Sequence, residues 1–276
     1  MPPKNICLIG CGNMGEALIC GMLDSRLMTA YRITGVDIDR KRLLRIKRTT
    51  GINVTNDVTD SVRKADIIII AVKPRDVEGM LSEIKSSLTM GKLMICVAAG
   101  ITTSRIENLV GKRNPVIRVM PNAPALIREG VSAVARGRYA TKKAEDIAVK
   151  IMSSVGVVVR VREELMDAAT GLSGSGPAYI FYVIESMLKS GRVLGLDEKT
   201  AAKLVLHTVS GAADMALKTG QEPSLLRKKV TSPGGTTEAA IKYLEKRKFQ
   251  KTLIDAVRTA ARRSKEIGNP ASPEAS

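Results

Sequence analysis

Three glycines near the start of the chain have the spacing of a phosphate-binding turn. The segment "ICLIGCGNMGEALICGML" places Gly10, Gly12 and Gly15 in a G-x-G-x-x-G pattern, directly after an apolar run and at the start of an amphipathic one. In such a turn the first glycine permits the bend, the second lets the backbone approach a pyrophosphate, and the third lets helix and strand pack closely. The following helix N-terminus favours the anion. Because the triplet opens an alternating βα pattern, it predicts dinucleotide binding.

The end of the second predicted strand bears on which dinucleotide is bound. Asp37 stands where an acidic residue accepts a hydrogen bond from the ribose 2′-hydroxyl of NADH. The nearby cations of Arg40, Lys41 and Arg42 could instead hold the 2′-phosphate of NADPH, or could form the solvated first turn of the next helix. These residues are compatible with either NADPH or NADH as the cofactor and do not decide between them.

Two further segments follow apolar strands at the sheet edge where open α/β sheets bind ligands. They are "AVKP" at 71–74 and "VAAG" at 97–100, whose small side chains leave room for a ribose and a nicotinamide. Lys73 is either part of that site or a surface lysine beside a helix-starting proline. The segment "RVMPNAPA" at 118–125 either lines the nicotinamide or forms a structural corner.

The segment "TSPGGTTEAAIKYL" interrupts a helical region with Pro233, Gly234 and Gly235 and restarts it on Thr236 and Thr237. Backbone N–H groups at the start of a helix have no partner inside the helix, so this start predicts an anion cradle with hydroxyl groups attached. The alternative is that one threonine simply caps the helix, but the glycine pair and the second threonine exceed that need. We expect a small carboxylate substrate here.

Several kinds of chemistry lack the residues that they need. His207 is the only histidine, and the four cysteines show no paired metal-ligand spacing, so neither a metal site nor Ser–His or Cys–His catalysis is expected. Hydride transfer to a polarised C=N bond needs little acid–base help, because the cofactor supplies the chemistry and the protein supplies position.

The pattern of strands and helices that must position these residues indicates an α/β fold. Apolar runs without polar alternation, such as Ile67–Ile70, alternate with amphipathic segments, which indicates a Rossmann-type, doubly wound and mostly parallel sheet. After about Arg162 the period becomes helical, so we predict a dinucleotide-binding domain at 1–162 and an all-α domain for substrate binding and dimerisation at 163–276. The last nine residues, "GNPASPEAS", have the composition of a disordered end.

Composition limits the partners and the compartment. The 44 Lys and Arg residues exceed the 27 Asp and Glu residues and give a formal net charge of +17, but aromatic residues are 3% and the cations are scattered. We therefore expect a basic surface that attracts small anions, with no nucleic acid and no membrane as partner. The sequence shows neither a signal peptide nor an apolar run of membrane-spanning length, so a cytoplasmic protein with reduced thiols is expected.

At these residues the sequence resembles the pyrroline-5-carboxylate reductase family. "IGCGNMGEAL", "AVKP", "VAAGI", "RVMPNAPA", "DAATGLSGSGPAYIFYVIE" and "VTSPGGTT" follow the family's order and spacing from about Asn5 to Gly268. The resemblance implies an oxidoreductase acting on a CH–NH group, which reduces 1-pyrroline-5-carboxylate to proline with NADPH or NADH. It also implies a homodimer formed through the helical domain, with further assembly to a decamer.

The resemblance also implies roles for single residues of the cofactor site. The pyrophosphate would be held by Ile9, Gly10, Cys11, Gly12, Asn13 and Met14, the adenosine ribose by Asn56, and the nicotinamide half by Ala71, Val72, Lys73, Pro74, Val97, Ala98 and Ala99.

For the substrate, the resemblance implies Gly235, Thr236 and Thr237. The two threonine amides would receive the carboxylate, and the Thr237 hydroxyl would face the ring nitrogen as the catalytic group. Glu163 would approach the same substrate. Two positions depart from the family: Ala123 replaces a usual threonine, and Gly220 stands where some members have glutamate.

Two other functions remain as alternatives. A β-hydroxyacid dehydrogenase shares the same domain pattern, but it needs a lysine near the glycine-rich helix after the first domain, and none occurs before Lys189. A non-catalytic dinucleotide-sensing protein would bind the cofactor and would not need the carboxylate cradle.

Overall fold

An eight-stranded sheet organises the first part of the chain in the computed structural model, which describes residues 4–29 and 32–268. The strands are β1 Ile6–Ile9, β2 Ile33–Val36, β3 Asn53–Thr55, β4 Ile67–Ile70, β5 Leu93–Cys96, β6 Val116–Met120, β7 Gly130–Arg136 and β8 Gly156–Arg160. The helices of this part are α1 Asn13–Asp24, α2 Arg40–Thr50, α3 Val58–Lys64, α4 Val77–Ile84, α5 Thr103–Val110, α6 Lys142–Met152 and α7 Met166–Ala169.

The strand order is β3-β2-β1-β4-β5-β6-β7-β8, and every neighbouring pair is parallel except β6 and β7. The predicted α/β class with a mostly parallel, doubly wound sheet is confirmed. The central strands have no exposed face: all four residues of β1, β4 and β5 are buried. This burial explains why their sequences are apolar without alternation.

Helices cover both faces of the sheet, and the side-chain alternation of β1 separates the two cores. Ile6 and Leu8 pack with residues of α1, α2 and α6 on one face. Cys7 and Ile9 pack with residues of α3, α4 and α5 on the other. The apolar side chains of one short strand thus hold both helical layers to the sheet.

The sequence-based prediction missed β3 and α3. β3 has only three residues, "NVT", at the edge of the sheet, so neither its length nor its composition marks it as a strand. α3 has seven residues and begins after Asp57, whose side chain accepts from Asp60 N at 2.9 Å. Asn56 consequently lies in the turn between these two elements.

The remaining helices are α8 Gly176–Val193, α9 Glu198–Thr219, α10 Pro223–Lys229, α11 Thr236–Lys246 and α12 Phe249–Gly268. The predicted helical second half is confirmed. Gly220 ends α9 at φ 61°, a left-handed backbone conformation that favours glycine, so its departure from the family pattern has a structural reason at this position. None of the described helices is long and apolar enough to cross a membrane. The predicted disordered tail lies, from residue 269 onward, outside the described residues.

The chain divides into two compact units, each of which we describe by itself. One unit contains the sheet, continues to Ser175 and also includes the chain from Arg258 onward, whereas the other is Gly176–Val257. The boundary predicted at residue 162 stays a prediction. In the helical unit many large apolar side chains are exposed, among them Phe181, Tyr182, Leu194, Leu206 and Leu217.

Candidate active site

The three glycines of the first turn differ in what surrounds them. A Cβ atom on Gly10, which has φ 95°, would lie 2.7 Å from the carbonyl group of Ala71, and one on Gly15 would lie 2.1 Å from the Gly10 oxygen. Gly12, in contrast, has no heavy atom within 4 Å of its Cβ position. Gly10 and Gly15 are thus required by the protein's own packing, and the open side of Gly12 leaves space for a ligand.

The start of α1 supplies backbone donors beside that space. Gly12 is the N-cap residue and provides no side-chain hydrogen bond to the helix. The N–H groups of the first turn have no intrahelical acceptor, and the helix dipole makes this end positive. The acidic residue of the first turn, Glu16, is paired with Arg45 at 2.6 Å. The turn therefore fits a dinucleotide pyrophosphate in shape and charge.

Asp37 braces this turn from the neighbouring strand. Its Oδ2 accepts from Cys11 N at 2.8 Å and from the Arg42 guanidinium at 2.9 Å, and its Oδ1 accepts from Asp39 N at 2.9 Å. The residue is 7% exposed. Its carboxylate thus fixes the backbone of the glycine-rich turn, and contact with the cofactor ribose stays a prediction.

The same contacts set the protonation states near the turn. Burial raises the pKa of Asp37, but hydrogen bonds from Asp39 N, Arg42 and Cys11 N outweigh burial and leave the pKa below its ordinary value. Burial, with a smaller effect from the Asp37 charge, raises the pKa of the Cys11 thiol to about 12. Cys11 therefore stays neutral and places no negative charge beside the anion site.

We expect Asp37→Asn to lower both stability and cofactor affinity. One amide oxygen cannot replace two carboxylate oxygens that accept three hydrogen bonds, so the free energy of unfolding should fall by about 1–3 kcal/mol. The Michaelis constants for NADH and NADPH should rise together, because the shared turn is loosened; a further loss confined to NADH would indicate a ribose contact. Steady-state kinetics and thermal unfolding measure both effects.

The control for this change is Asp39→Asn, because Asp39 caps α2 and asparagine caps helices equally well. It removes the same charge and should leave both cofactors' kinetics nearly unchanged. A carboxyl group whose pKa is lowered by folding stabilises the protein fully above its unfolded-state pKa, and this stabilisation is lost as the pH falls through the folded-state pKa. The stability that Asp37 provides should therefore begin to decrease below about pH 4 and continue to decrease as the pH is lowered further. Equal behaviour of the two variants would contradict the bracing role.

Loops after two neighbouring strands lie beside the glycine-rich turn. Ala71 N donates to Ile9 O at 2.8 Å, and Val97 N donates to Ile70 O at 2.9 Å, so the carboxyl ends of β1, β4 and β5 are adjacent. Ala98 is buried and Lys73 is exposed. The structure thus brings the predicted nucleotide-binding segments 9–14, 71–74 and 97–99 to one sheet edge. Asn56 follows β3 at the same edge.

The other predicted binding segment forms the start of α11 in the helical unit. The N-cap residue is Gly235, in extended conformation and without a side-chain cap, so neither Thr236 nor Thr237 caps the helix. Gly234 N donates to Glu238 Oε2 at 2.8 Å. This bond, together with Lys242, holds the pKa of Glu238 below its ordinary value. The amides of Thr236 and Thr237 remain available to an anion.

Sequence analysis did not identify Glu238 as part of this start. The signal was present, since a glutamate three residues after an N-cap commonly accepts from a backbone N–H group just outside the helix. Its charge is balanced by Lys242 Nζ at 3.1 Å. The carboxylate therefore shapes the Gly234 turn without leaving a free negative charge.

Glu163 belongs to an ion-pair network around the buried Arg118 in the sheet unit. Its Oε1 accepts from Thr103 N at 3.1 Å and from Arg118 at 3.2 Å, and Arg118 also pairs with Asp167 at 2.9 Å. Arg118 is 2% exposed. These contacts give Glu163 a structural role here, and its approach to the substrate stays a prediction.

Comparisons with known proteins identify relatives along nearly the whole chain. Residues 163–267 match a family model described as pyrroline-5-carboxylate reductase dimerisation, and residues 5–100 match one described as NADP oxidoreductase, coenzyme F420-dependent. A pyrroline-5-carboxylate reductase of Methanosarcina acetivorans is 42% identical over 97% of this chain and 99% of its own length.

Two solved structures have the same fold throughout. A pyrroline-5-carboxylate reductase from Coxiella burnetii is 37% identical with a TM-score of 0.89, covering 97% of this chain and 99% of that one. A pyrroline carboxylate reductase from Plasmodium falciparum, solved with NADP bound, is 31% identical with a TM-score of 0.89, covering 98% of this chain and 100% of that one.

Proposed function

The chain belongs to the pyrroline-5-carboxylate reductase family, and from this membership we infer how its two units divide the reaction. It is an NAD(P)H-dependent oxidoreductase that reduces the C=N bond of 1-pyrroline-5-carboxylate and yields proline. The sequence-based prediction of this activity is confirmed by the family relationship. The observation that carries the division of roles is that α1 and α11, whose starts have a glycine N-cap and no side-chain cap, begin in different units.

The sheet unit holds the cofactor in this proposal. The segment from Ile9 to Met14 binds the pyrophosphate, because Gly12 leaves open space and the start of α1 presents free N–H groups. Asn56 holds the adenosine ribose, and the loops 71–74 and 97–99 hold the nicotinamide half at the ends of β4 and β5. The bound cofactor supplies the hydride.

The helical unit holds the substrate. The amides of Thr236 and Thr237 donate to the substrate carboxylate, with the Gly235 turn giving the anion access to them. The Thr237 hydroxyl donates a hydrogen bond to the ring nitrogen, where negative charge would otherwise build up as the C=N bond accepts a hydride. Glu163 is retained as a proposed substrate neighbour on the family resemblance alone.

The helical unit also supports oligomer formation. The family model for dimerisation covers its whole length, and its exposed side chains, such as Phe181, Leu206 and Leu217, are apolar and large. The chain accordingly forms oligomers through this region. Assembly of dimers into a decamer, with a cytoplasmic location for the enzyme, remains part of the proposal.

The activity test uses purified protein with 1-pyrroline-5-carboxylate and each reduced cofactor in turn. We expect loss of the reduced-nicotinamide absorbance with NADPH, NADH or both, and the ratio of the two kcat/KM values gives the preference. Cofactor binding without substrate-dependent oxidation would support a dinucleotide sensor instead. No activity on 1-pyrroline-5-carboxylate, together with reduction of NAD⁺ or NADP⁺ when a β-hydroxyacid is added, would support the dehydrogenase alternative.

A further inference from the structure

A second candidate site lies at the opposite edge of the sheet from the glycine-rich turn. A cavity of about 680 Å³ opens where β7 and β8 end and α6 begins. β7 runs antiparallel to β6, with Arg136 opposite Ile117, and β8 runs parallel to β7. The carboxyl ends of β7 and β8 therefore lie at the edge where β6 begins, whereas Gly10, Ala71 and Val97 follow the carboxyl ends of β1, β4 and β5.

Cations dominate the cavity wall. Three carboxylates, those of Glu145, Glu163 and Glu164, contribute to the lining, and five cationic side chains do so: Arg136, Arg138, Lys142, Arg160 and Arg162.

Two of the three carboxylates are already paired with arginine side chains of the protein. Glu145 has a side chain only 8% exposed, and its Oε2 lies 3.6 Å from Nε of both Arg136 and Arg160. Glu163 is paired with the buried Arg118. Arg160 also pairs with Asp146 at 2.8 Å, so the charges of Arg136 and Arg160 are balanced by two carboxylates. The positive charge of the wall therefore comes from its remaining cations.

Three of the five cations have no carboxylate within salt-bridge distance in residues 4–29 and 32–268. They are Arg138, Lys142 and Arg162, and all three are exposed. The Arg138 guanidinium lies 5.6 Å from the centre of the Tyr139 ring, which helps to orient its plane. Unpaired cations around a concave surface create a positive potential that attracts anions.

We propose that this cavity binds a multiply charged phosphorylated small molecule of about the size of a nucleoside triphosphate. Arginine presents a planar set of donors that binds phosphate oxygens in pairs, and lysine adds a point charge. The volume falls within the range of roughly 300–1,000 Å³ that is usual for small-molecule sites and exceeds what one phosphate needs. The cations of this cavity belong to neither helix start used in the reaction, and of the lining residues Glu163 alone is also proposed to approach the substrate.

Titration calorimetry of the full chain tests this site. Inorganic tripolyphosphate and ATP are titrated separately into protein saturated with NADP⁺, so that the dinucleotide site is filled. We expect binding of one equivalent of each probe. The double variant Arg138→Ala/Arg162→Ala should bind roughly tenfold more weakly or worse, since two charge-assisted contacts are removed.

The matched control is Arg63→Ala/Lys64→Ala, which removes the same charge from the exposed last turn of α3. It should bind both probes as the parent protein does. Equal weakening in both double variants would show attraction to net charge alone and would overturn the proposal. So would the absence of binding.

Hydrogen exchange provides a second measurement that does not depend on turnover. Tripolyphosphate should increase protection in residues 136–145 and 160–164. Protection confined to residues 9–16 would place the probe at the glycine-rich turn and would contradict the proposal. Because neither measurement uses the substrate, loss of this site and loss of reductase activity are distinguishable.

Discussion

Gly12→Ala is expected to leave the folded protein intact and to weaken NADPH binding by roughly a hundredfold or more. The Cβ position of Gly12 has no neighbouring heavy atom within 4 Å, and its φ of −71° is allowed for alanine. The added methyl group therefore meets nothing in the protein itself. It occupies the space that we assign to the pyrophosphate. Unchanged thermal unfolding without cofactor, together with lost cofactor stabilisation, is the expected pair of measurements.

Gly15→Ala provides the contrast, because its Cβ would lie 2.1 Å from the Gly10 oxygen. This variant should unfold at lower temperature even without cofactor, since the turn must move to accept the methyl group. Gly79→Ala is the matched control: Gly79 lies within α4 with open space around it and should lose neither stability nor binding. If Gly12→Ala bound NADPH as tightly as this control, the pyrophosphate assignment would be wrong.

The parallel sheet could be predicted because its central strands are continuous apolar runs without polar alternation. A run such as Ile67–Ile70 is buried on both faces, and only helices on both sides of a sheet provide such burial. β3 could not be predicted in the same way, since its three residues include Asn53 and Thr55 and owe their conformation to pairing with β2. Short edge elements take their structure from tertiary contacts rather than from local pattern.

The parts of the site that could be predicted are those in which the residue type itself restricts the local backbone structure. A glycine triplet and a helix start without a side-chain cap can be recognised from the sequence, because both depend on the backbone geometry of residues that are close together in the chain. The brace from Asp37 to Cys11 N and the pairing of Glu163 with Arg118 join residues far apart in the chain. The sequence analysis assigned the carboxylates of Asp37 and Glu163 to ligands, because a sequence alone does not show which protein groups will donate hydrogen bonds to their oxygen atoms.

Thr236→Pro tests the amide donors at α11 separately from the hydroxyl groups. Proline is tolerated at the first helical position, and the extended conformation of Gly235, with ψ 172°, suits the residue before a proline. The change removes one N–H group that we assign to the substrate carboxylate. We expect a higher Michaelis constant for the substrate, with thermal stability and NADPH affinity nearly unchanged. An unaltered Michaelis constant would exclude the Thr236 amide from carboxylate binding.

Thr237→Ala is expected to lower kcat by roughly a hundredfold, because it removes the hydrogen-bond donor that we place at the ring nitrogen. Thermal stability should not change, since α11 has no side-chain cap and the hydroxyl does not support the helix start. Thr237→Ser keeps the hydroxyl and should recover most of the rate. Thr236→Ala is the matched control and should remain close to the parent, because only its amide is used. Equal losses in Thr236→Ala and Thr237→Ala would show that neither hydroxyl acts on the substrate specifically.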